Sequence, residues 1–439
     1  MSKFRIYGGK PLKGTIQPQG SKNEAFQVMC AALLTNQPVT IYNVPDILDV
    51  RELLTLFEIL GVKIQKIGQH TYCLQAADVC LDTIDIEVLK AHAGKLRASV
   101  LILGPLVARL GKSIIPRPGG DKIGRRRLDT HFIGISKLGA TFNYDEQQQV
   151  YIVEAKNKLQ GEYILLDESS VTGTANVIMA AALAQGTTTI YNAACEPHIQ
   201  QLCKMLVQMG AHIEGIGSNL LTIDGVEALS GTEHTILPDM LEIGSFIGLA
   251  AMTNSHLTIQ NAISSQQLLE PVLSRFRSLG IKLDITQSDI TIPSQASYEI
   301  QQDINTHRIL TLADAVWPGL PSDLLSILLV TAIQAKGSVL FHQKMYESRL
   351  FFVDNLIEMG AKLVLCDPHR VHVVGLDRSS PLKGIRMTSP DIRAGISLLI
   401  AALSAEGKSI IEHISQIDRG YENIENRLKK LGADIERID

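Results

Sequence analysis

No apolar run in this 439-residue chain approaches the ~20 consecutive residues of a membrane-spanning helix, and stretches such as 324–332 fall far short of it. Membrane insertion is therefore not expected. The opening residues Met1-Ser-Lys-Phe-Arg5 lead into Gly8-Gly9 without the apolar core of a signal peptide, so the expected location is cytoplasmic. Neither sign of charge dominates: 41 Lys and Arg against 45 Asp and Glu leave a formal net charge of −4. A nucleic-acid surface is disfavoured, and any anion must be held by a local group of cations, which suits a small ligand. The six cysteines (Cys30, Cys73, Cys80, Cys195, Cys203, Cys366) form no CxxC pair and lie mostly in apolar segments. They are expected to be buried free thiols, with neither a disulfide framework nor a metal site. No GxGxxG follows a strand, and HExxH and GxSxG are missing. The run Gly104 to Ser113 has six residues between its glycines instead of the four of a P-loop, and it falls within a helix pattern. Hydride transfer and metal-dependent hydrolysis lose support accordingly.

What is present is a repeat. Six times an apolar helix pattern, a β-branched strand and a second helix pattern close on Leu-Gly or Met-Gly before the next strand, at Gly61, Gly139, Gly210, Gly280, Gly360 and Gly432. Spacings of 70 to 80 residues make each unit a small α/β block rather than a solenoid turn. In the third unit Ile199, Leu202, Leu206 and Met209 recur at three- and four-residue steps on one helix face, and Gly210 supplies a left-handed cap. The first helix of each unit is apolar nearly all round, as in 394–405, which predicts burial. The expected fold is thus α/β: two inside-out domains, each of three pseudo-repeated βαβαββ units with buried helices beneath outer sheets. Residues 21–237 are expected to form the first domain. Residues 1–20 and 238–439 form the second, with the strand of 4–17 completing it and a cleft between the two.

In a sixfold repeat, shared residues build the fold and the exceptions do chemistry. The starts of the first helices carry Lys22-Asn23, Arg97, Ser170, Asp239, Asp323 and Arg393, where free N–H groups favour anions. A lone Lys22 reads equally as a surface lysine, and for Asp323, after Trp317-Pro-Gly-Leu-Pro-Ser, a helix cap is the more common reading. The segment Pro118-Gly-Gly-Asp-Lys-Ile-Gly-Arg-Arg-Arg-Leu-Asp-Thr-His131 is the sharpest motif. Its glycines allow close backbone approach, Asp121 is an acid, and three arginines suit phosphate. A solvated charge run is the plainer reading of it. Arg349, Arg393 and Arg419 sit at comparable turns of the last two units.

Taken together, Gln19-Gly-Ser-Lys-Asn-Glu24, Leu96-Arg-Ala-Ser99, the 118–131 loop, Leu237-Pro-Asp239, Pro321-Ser-Asp323, Glu347-Ser-Arg349, Asp391-Ile-Arg-Ala394 and Asp418-Arg-Gly-Tyr421 resemble the UDP-N-acetylglucosamine 1-carboxyvinyltransferase family along the whole chain. The resemblance implies two inside-out domains. It also implies transfer of the enolpyruvyl group of phosphoenolpyruvate to the 3-hydroxyl of UDP-N-acetylglucosamine, with release of phosphate, by addition and elimination and without a metal or organic cofactor. By the same resemblance Asp323 takes the hydroxyl proton and orients the sugar. Lys22, Arg126, Arg393 and Arg419 clamp phosphoenolpyruvate. Asn23, Arg97, Arg126, Arg127, Leu128, Asp129, Thr130, Ser170, Val171, Thr172 and Met345 contact the nucleotide sugar, and Asp239 and Arg349 support the site. A catalytic loop of about residues 117–128 is expected to move as the cleft closes.

Departures from the family pattern are informative. Most members carry cysteine at the position of Asp121, alanine at Ser21, glycine at Thr172 and arginine at Met240. If Asp121 is the proton donor to the methylene carbon, its pKa must be raised by burial or by a neighbouring anion. The epoxide fosfomycin alkylates the family's cysteine thiolate, so the carboxylate implies intrinsic resistance. Two other readings remain open: the sister transferase acting on shikimate 3-phosphate, and a non-catalytic UDP-sugar-binding protein.

Overall fold

The computed structural model describes residues 2–82, 84–120, 127–302 and 308–438. Asp121 and Arg126 lie outside the described residues. The chain divides into two compact units, one from the described residues of 20–237 and the other from those of 2–19 and 238–438. Each unit has its own apolar core.

The patterns of apolar residues dictate the layering. The helices Met240–Met252, Leu325–Ala332 and Ile392–Ser404 are buried along nearly their entire length and pack against one another in the middle of their unit. In the other unit Lys22–Ala31, Leu103–Leu110 and Val171–Ala181 hold the corresponding positions. Strands such as Leu220–Asp224 instead alternate between buried and exposed residues, so their sheets have one face on the helices and one in solvent. Helices apolar on all sides have no other place to go.

Among the described residues five sheets have four strands and one has three. Each of the five has a parallel edge strand, as where Tyr163–Leu165 pairs with Thr187–Tyr191. At the two crossings between units the leading strand stays behind. Lys13–Ile16 precedes helix Lys22–Ala31 yet pairs with His256–Ile259, and Glu233–Thr235 precedes helix Met240–Met252 yet pairs with Val39–Tyr42. The expected single strand over 4–17 is in fact two, Lys3–Tyr7 and Lys13–Ile16, in different sheets. Gly8 and Gly9 cause the break: Gly9 has φ +79°, and a Cβ on Gly8 would lie 2.1 Å from the Ala402 carbonyl oxygen.

All six closing glycines adopt positive φ, between +88° and +110°. Each follows a second helix and releases the chain into the next strand. The cysteines only partly follow expectation. Cys30 and Cys203 are buried, whereas Cys80 and Cys366 are exposed. Cys366 belongs to a strand whose residues alternate in burial, so apolar neighbours in sequence did not determine its face.

One buried ion pair ties the unit of 238–438 to the strands that open the chain. Glu242, 1% exposed, accepts hydrogen bonds from Arg427, at 3.1 Å for Nη2, and from the Gln19 backbone N–H at 2.6 Å. Burial raises the Glu242 carboxyl pKa and Arg427 opposes the rise. Arg427→Ala is expected to cost about 3–5 kcal/mol, because it leaves the carboxylate buried without its cation. Urea unfolding reads this, and a loss under about 1 kcal/mol would mean that the carboxyl is already neutral.

Candidate active site

In the unit of residues 20–237, the positions matched to nucleotide-sugar contacts converge from separate elements. Arg97 opens a 3-10 turn, Arg97–Ile102, and donates from Nη2 to the Arg127 carbonyl oxygen at 3.0 Å. Arg127 donates to Asp129 at 2.9 Å, Leu128 precedes helix Asp129–Lys137, and Thr130 donates to Asp167 at 2.7 Å. Ser170 caps helix Val171–Ala181 through its Oγ and the Gly173 N–H. A Cβ on Gly173 would lie 2.8 Å from the Thr130 methyl, so that glycine lets the two helix starts approach. His131, adjacent to Thr130, is buried against Thr172 and Asn176.

Lys22 begins helix Lys22–Ala31 but is not the surface lysine that its sequence allowed. Its Nζ is buried and 2.6 Å from Asp49, with Asn23 half-buried beside it. Asp49 was missed at the sequence level. Its position in the first turn of Leu48–Ile59 carries the ordinary signature of a helix-start acid.

In the unit of 238–438, Asp323 lies inside the turn Ser322–Leu324 and makes no capping bond. It instead receives Arg349 Nη2 at 2.6 Å and Arg393 Nε at 3.2 Å. Burial by itself would raise its carboxyl pKa. The charges of Arg349 and Arg393 and their hydrogen bonds overcome that effect and hold the carboxyl well below the usual range. Arg393 follows Asp391, which caps helix Ile392–Ser404, and its Nη1 reaches the buried Tyr421 hydroxyl at 3.4 Å. Tyr421 also meets Ser245 at 2.8 Å, and burial pushes its phenol up to about 12 despite Arg393. Asp239 caps helix Met240–Met252 and adds a carboxylate within electrostatic reach of Arg393. Arg419, at the end of helix Ser415–Asp418, donates to Gln416 at 2.9 Å.

A second carboxylate escaped the sequence reading. Asp314, fully buried, accepts from the Gln343 side chain and from the backbone N–H groups of Lys344 and Met345. It thereby fixes the turn that carries Met345, itself exposed, and it lies within electrostatic reach of Arg349. Arg349, Arg393, Asp391, Ser322 and Gln343 line a narrow crevice. This constellation offers two desolvated guanidinium groups and one strongly ionised carboxylate, a setting for a small dianion next to a group that can take up a proton.

Residues 6–428 match the family EPSP synthase (3-phosphoshikimate 1-carboxyvinyltransferase). Among solved structures the enolpyruvyl transferase NikO from Streptomyces tendae superposes with a TM-score of 0.87 at 22% identity, covering 100% of this chain and 99% of that one. The fold is therefore that of the enolpyruvyl transferases. Two relatives are more specific. UDP-N-acetylglucosamine 1-carboxyvinyltransferase of Bacteroides thetaiotaomicron is 59% identical, and that of Bacteroides fragilis 58%, each alignment covering 100% of both chains. The chain belongs to the UDP-N-acetylglucosamine 1-carboxyvinyltransferase family.

Proposed function

We propose that the protein transfers the enolpyruvyl group of phosphoenolpyruvate to the 3-hydroxyl of UDP-N-acetylglucosamine with release of phosphate, the first committed step of peptidoglycan precursor synthesis, and that it does so in the cytoplasm. The observation that carries the reading is full-length identity of 59% to a relative of that name, combined with the Asp323–Arg349–Arg393 cluster. Asn23, Arg97, Arg127, Leu128, Asp129, Thr130, Ser170, Val171, Thr172 and Met345 hold the nucleotide sugar. Lys22, Arg126, Arg393 and Arg419 hold the phosphorylated acid, and Asp239 and Arg349 support them.

The chemistry follows from charge. In the addition step Asp323 takes the proton of the sugar hydroxyl, the oxygen bonds to C2 of phosphoenolpyruvate, and Asp121 protonates C3. In the elimination step C3 returns a proton to the Asp121 carboxylate, the electron pair forms the C2–C3 double bond, and the C2–O bond breaks to release phosphate. A carboxylate engaged by two arginines is a weak base. Its basicity rises when the dianion competes for those arginines, so arrival of the donor readies Asp323 for the acceptor's proton. Because Arg349 depresses the Asp323 pKa, removing that cation must raise it. Arg349→Gln is therefore expected to move the acid limb of the kcat/KM profile up by about one pH unit or more, and an unmoved limb would separate Asp323 from the titration.

Phosphate release measured with phosphoenolpyruvate and either UDP-N-acetylglucosamine or shikimate 3-phosphate tests the assignment. Turnover with the first acceptor alone is the expected result. Turnover with the second selects the sister activity, and turnover with neither selects a binding protein.

A further inference from the structure

We propose that the Thr172 hydroxyl donates a hydrogen bond to a diphosphate oxygen of the nucleotide sugar, and that His131 acts as the positioning residue that fixes this polarity. The inference rests on the assigned acceptor substrate and starts from the backbone. Asn176 is held at both ends of its amide: Oδ1 accepts from the Gly104 N–H at 2.8 Å, and Nδ2 donates to the Val100 carbonyl oxygen at 2.9 Å. Flipping the amide would set donor against donor and acceptor against acceptor, so the orientation is fixed. Nδ2 also lies 2.7 Å from Nδ1 of His131, which must therefore be an unprotonated acceptor.

The proton of the neutral ring then sits on Nε2. Burial, aided by the charge of Arg97, pushes the imidazole down to about 3, so the ring is neutral as well as oriented. Nε2–H points at Thr172 Oγ1, 3.1 Å away, and occupies the hydroxyl oxygen as acceptor. The hydroxyl hydrogen must go elsewhere, and among the described residues no acceptor takes it. Thr172 is half-buried, in the first turn of Val171–Ala181, on the element that faces Thr130 and packs on the turn Arg97–Ile102. The carboxylates nearby have other partners: Asp129 is bonded to Arg127, Asp167 to Thr130, and Glu168 accepts from the same Thr130 hydroxyl at 3.4 Å. A donor-only hydroxyl in the first turn of a helix, where free backbone N–H groups already favour anions, suits an anionic oxygen, and in a nucleotide sugar that is the diphosphate. A glycine at this position offers no such donor, and His131 would then have nothing to orient.

Thr172→Val keeps the volume and removes the donor. It is expected to raise KM for UDP-N-acetylglucosamine roughly tenfold while KM for phosphoenolpyruvate and kcat change less than about twofold, with Thr172→Ser restoring the wild-type value. Calorimetry with UDP should show the same loss, and with uridine none. An unchanged KM, or an equal loss for uridine, overturns the proposal. Nitrogen-15 NMR of histidine-labelled protein, with His131 assigned by its loss in His131→Asn, should show an Nε2–H tautomer, and an Nδ1–H tautomer overturns it as well. Wild-type protein that binds UDP but releases no phosphate would sink the functional assignment and leave this one standing.

Discussion

Asp323→Asn is expected to lower kcat by roughly 10²–10⁴-fold, the usual span for losing a positioned acid–base group. The substitution preserves shape but removes the negative charge that meets Arg349 and Arg393 at 2.6 and 3.2 Å. Two guanidinium groups would then share a desolvated pocket with only the less direct charges of Asp239 and Asp391 to balance them. Their mutual repulsion should be relieved by an added anion, so the variant is expected to gain more thermal stability from inorganic phosphate than wild type does. Phosphate-release kinetics and a melting curve with and without phosphate separate the two effects. Activity within tenfold of wild type would remove Asp323 from the proton path. Loss of activity with a normal melting response would place its role in chemistry rather than in holding the arginines.

Asp121 offers the other large effect, and its reading is chemical because the residue lies outside the described residues. A carboxyl has a reference pKa of about 3.9 and a thiol of about 8.5. As proton donor, Asp121 must be raised by bound phosphate or by desolvation, and Asp121→Asn is expected to abolish turnover while leaving the fold intact. Against an epoxide the order of reactivity reverses, since a thiolate is a far better nucleophile than a carboxylate. Incubated with fosfomycin, wild-type protein is expected to keep its mass and activity, whereas Asp121→Cys should gain one covalent adduct and lose activity. Intact-protein mass spectrometry reads both arms. Adduct formation on the wild type, or full activity in Asp121→Asn, would contradict the assignment.

The six closing glycines and the all-apolar first helices already specified an inside-out α/β architecture. Local constraints suffice for that: a helix with no polar stripe must be central, and a left-handed cap followed by a strand must turn the chain outward. The strand exchange at the two crossings was not legible, since nothing local tells Lys13–Ile16 to pair with His256–Ile259 rather than with a strand nearer in sequence. Strand pairing is decided by which edge is free in the assembled unit.

The site divides in the same way. The sequence by itself determined which residues are exceptions to the repeat: Lys22, Asp121, Asp323 and the arginines at the turns of the last units. Only the tertiary structure decided their states. It showed Lys22 buried on Asp49, Asp323 clasped by two arginines instead of capping a helix, Asp314 fixing the turn before Arg349, and His131 set in one tautomer by an asparagine anchored to backbone. The physical reason is common to all four. Ionisation and hydrogen-bond polarity depend on desolvation and on partners far away along the chain, and those are properties of the folded interior, with no counterpart in the local pattern of residues.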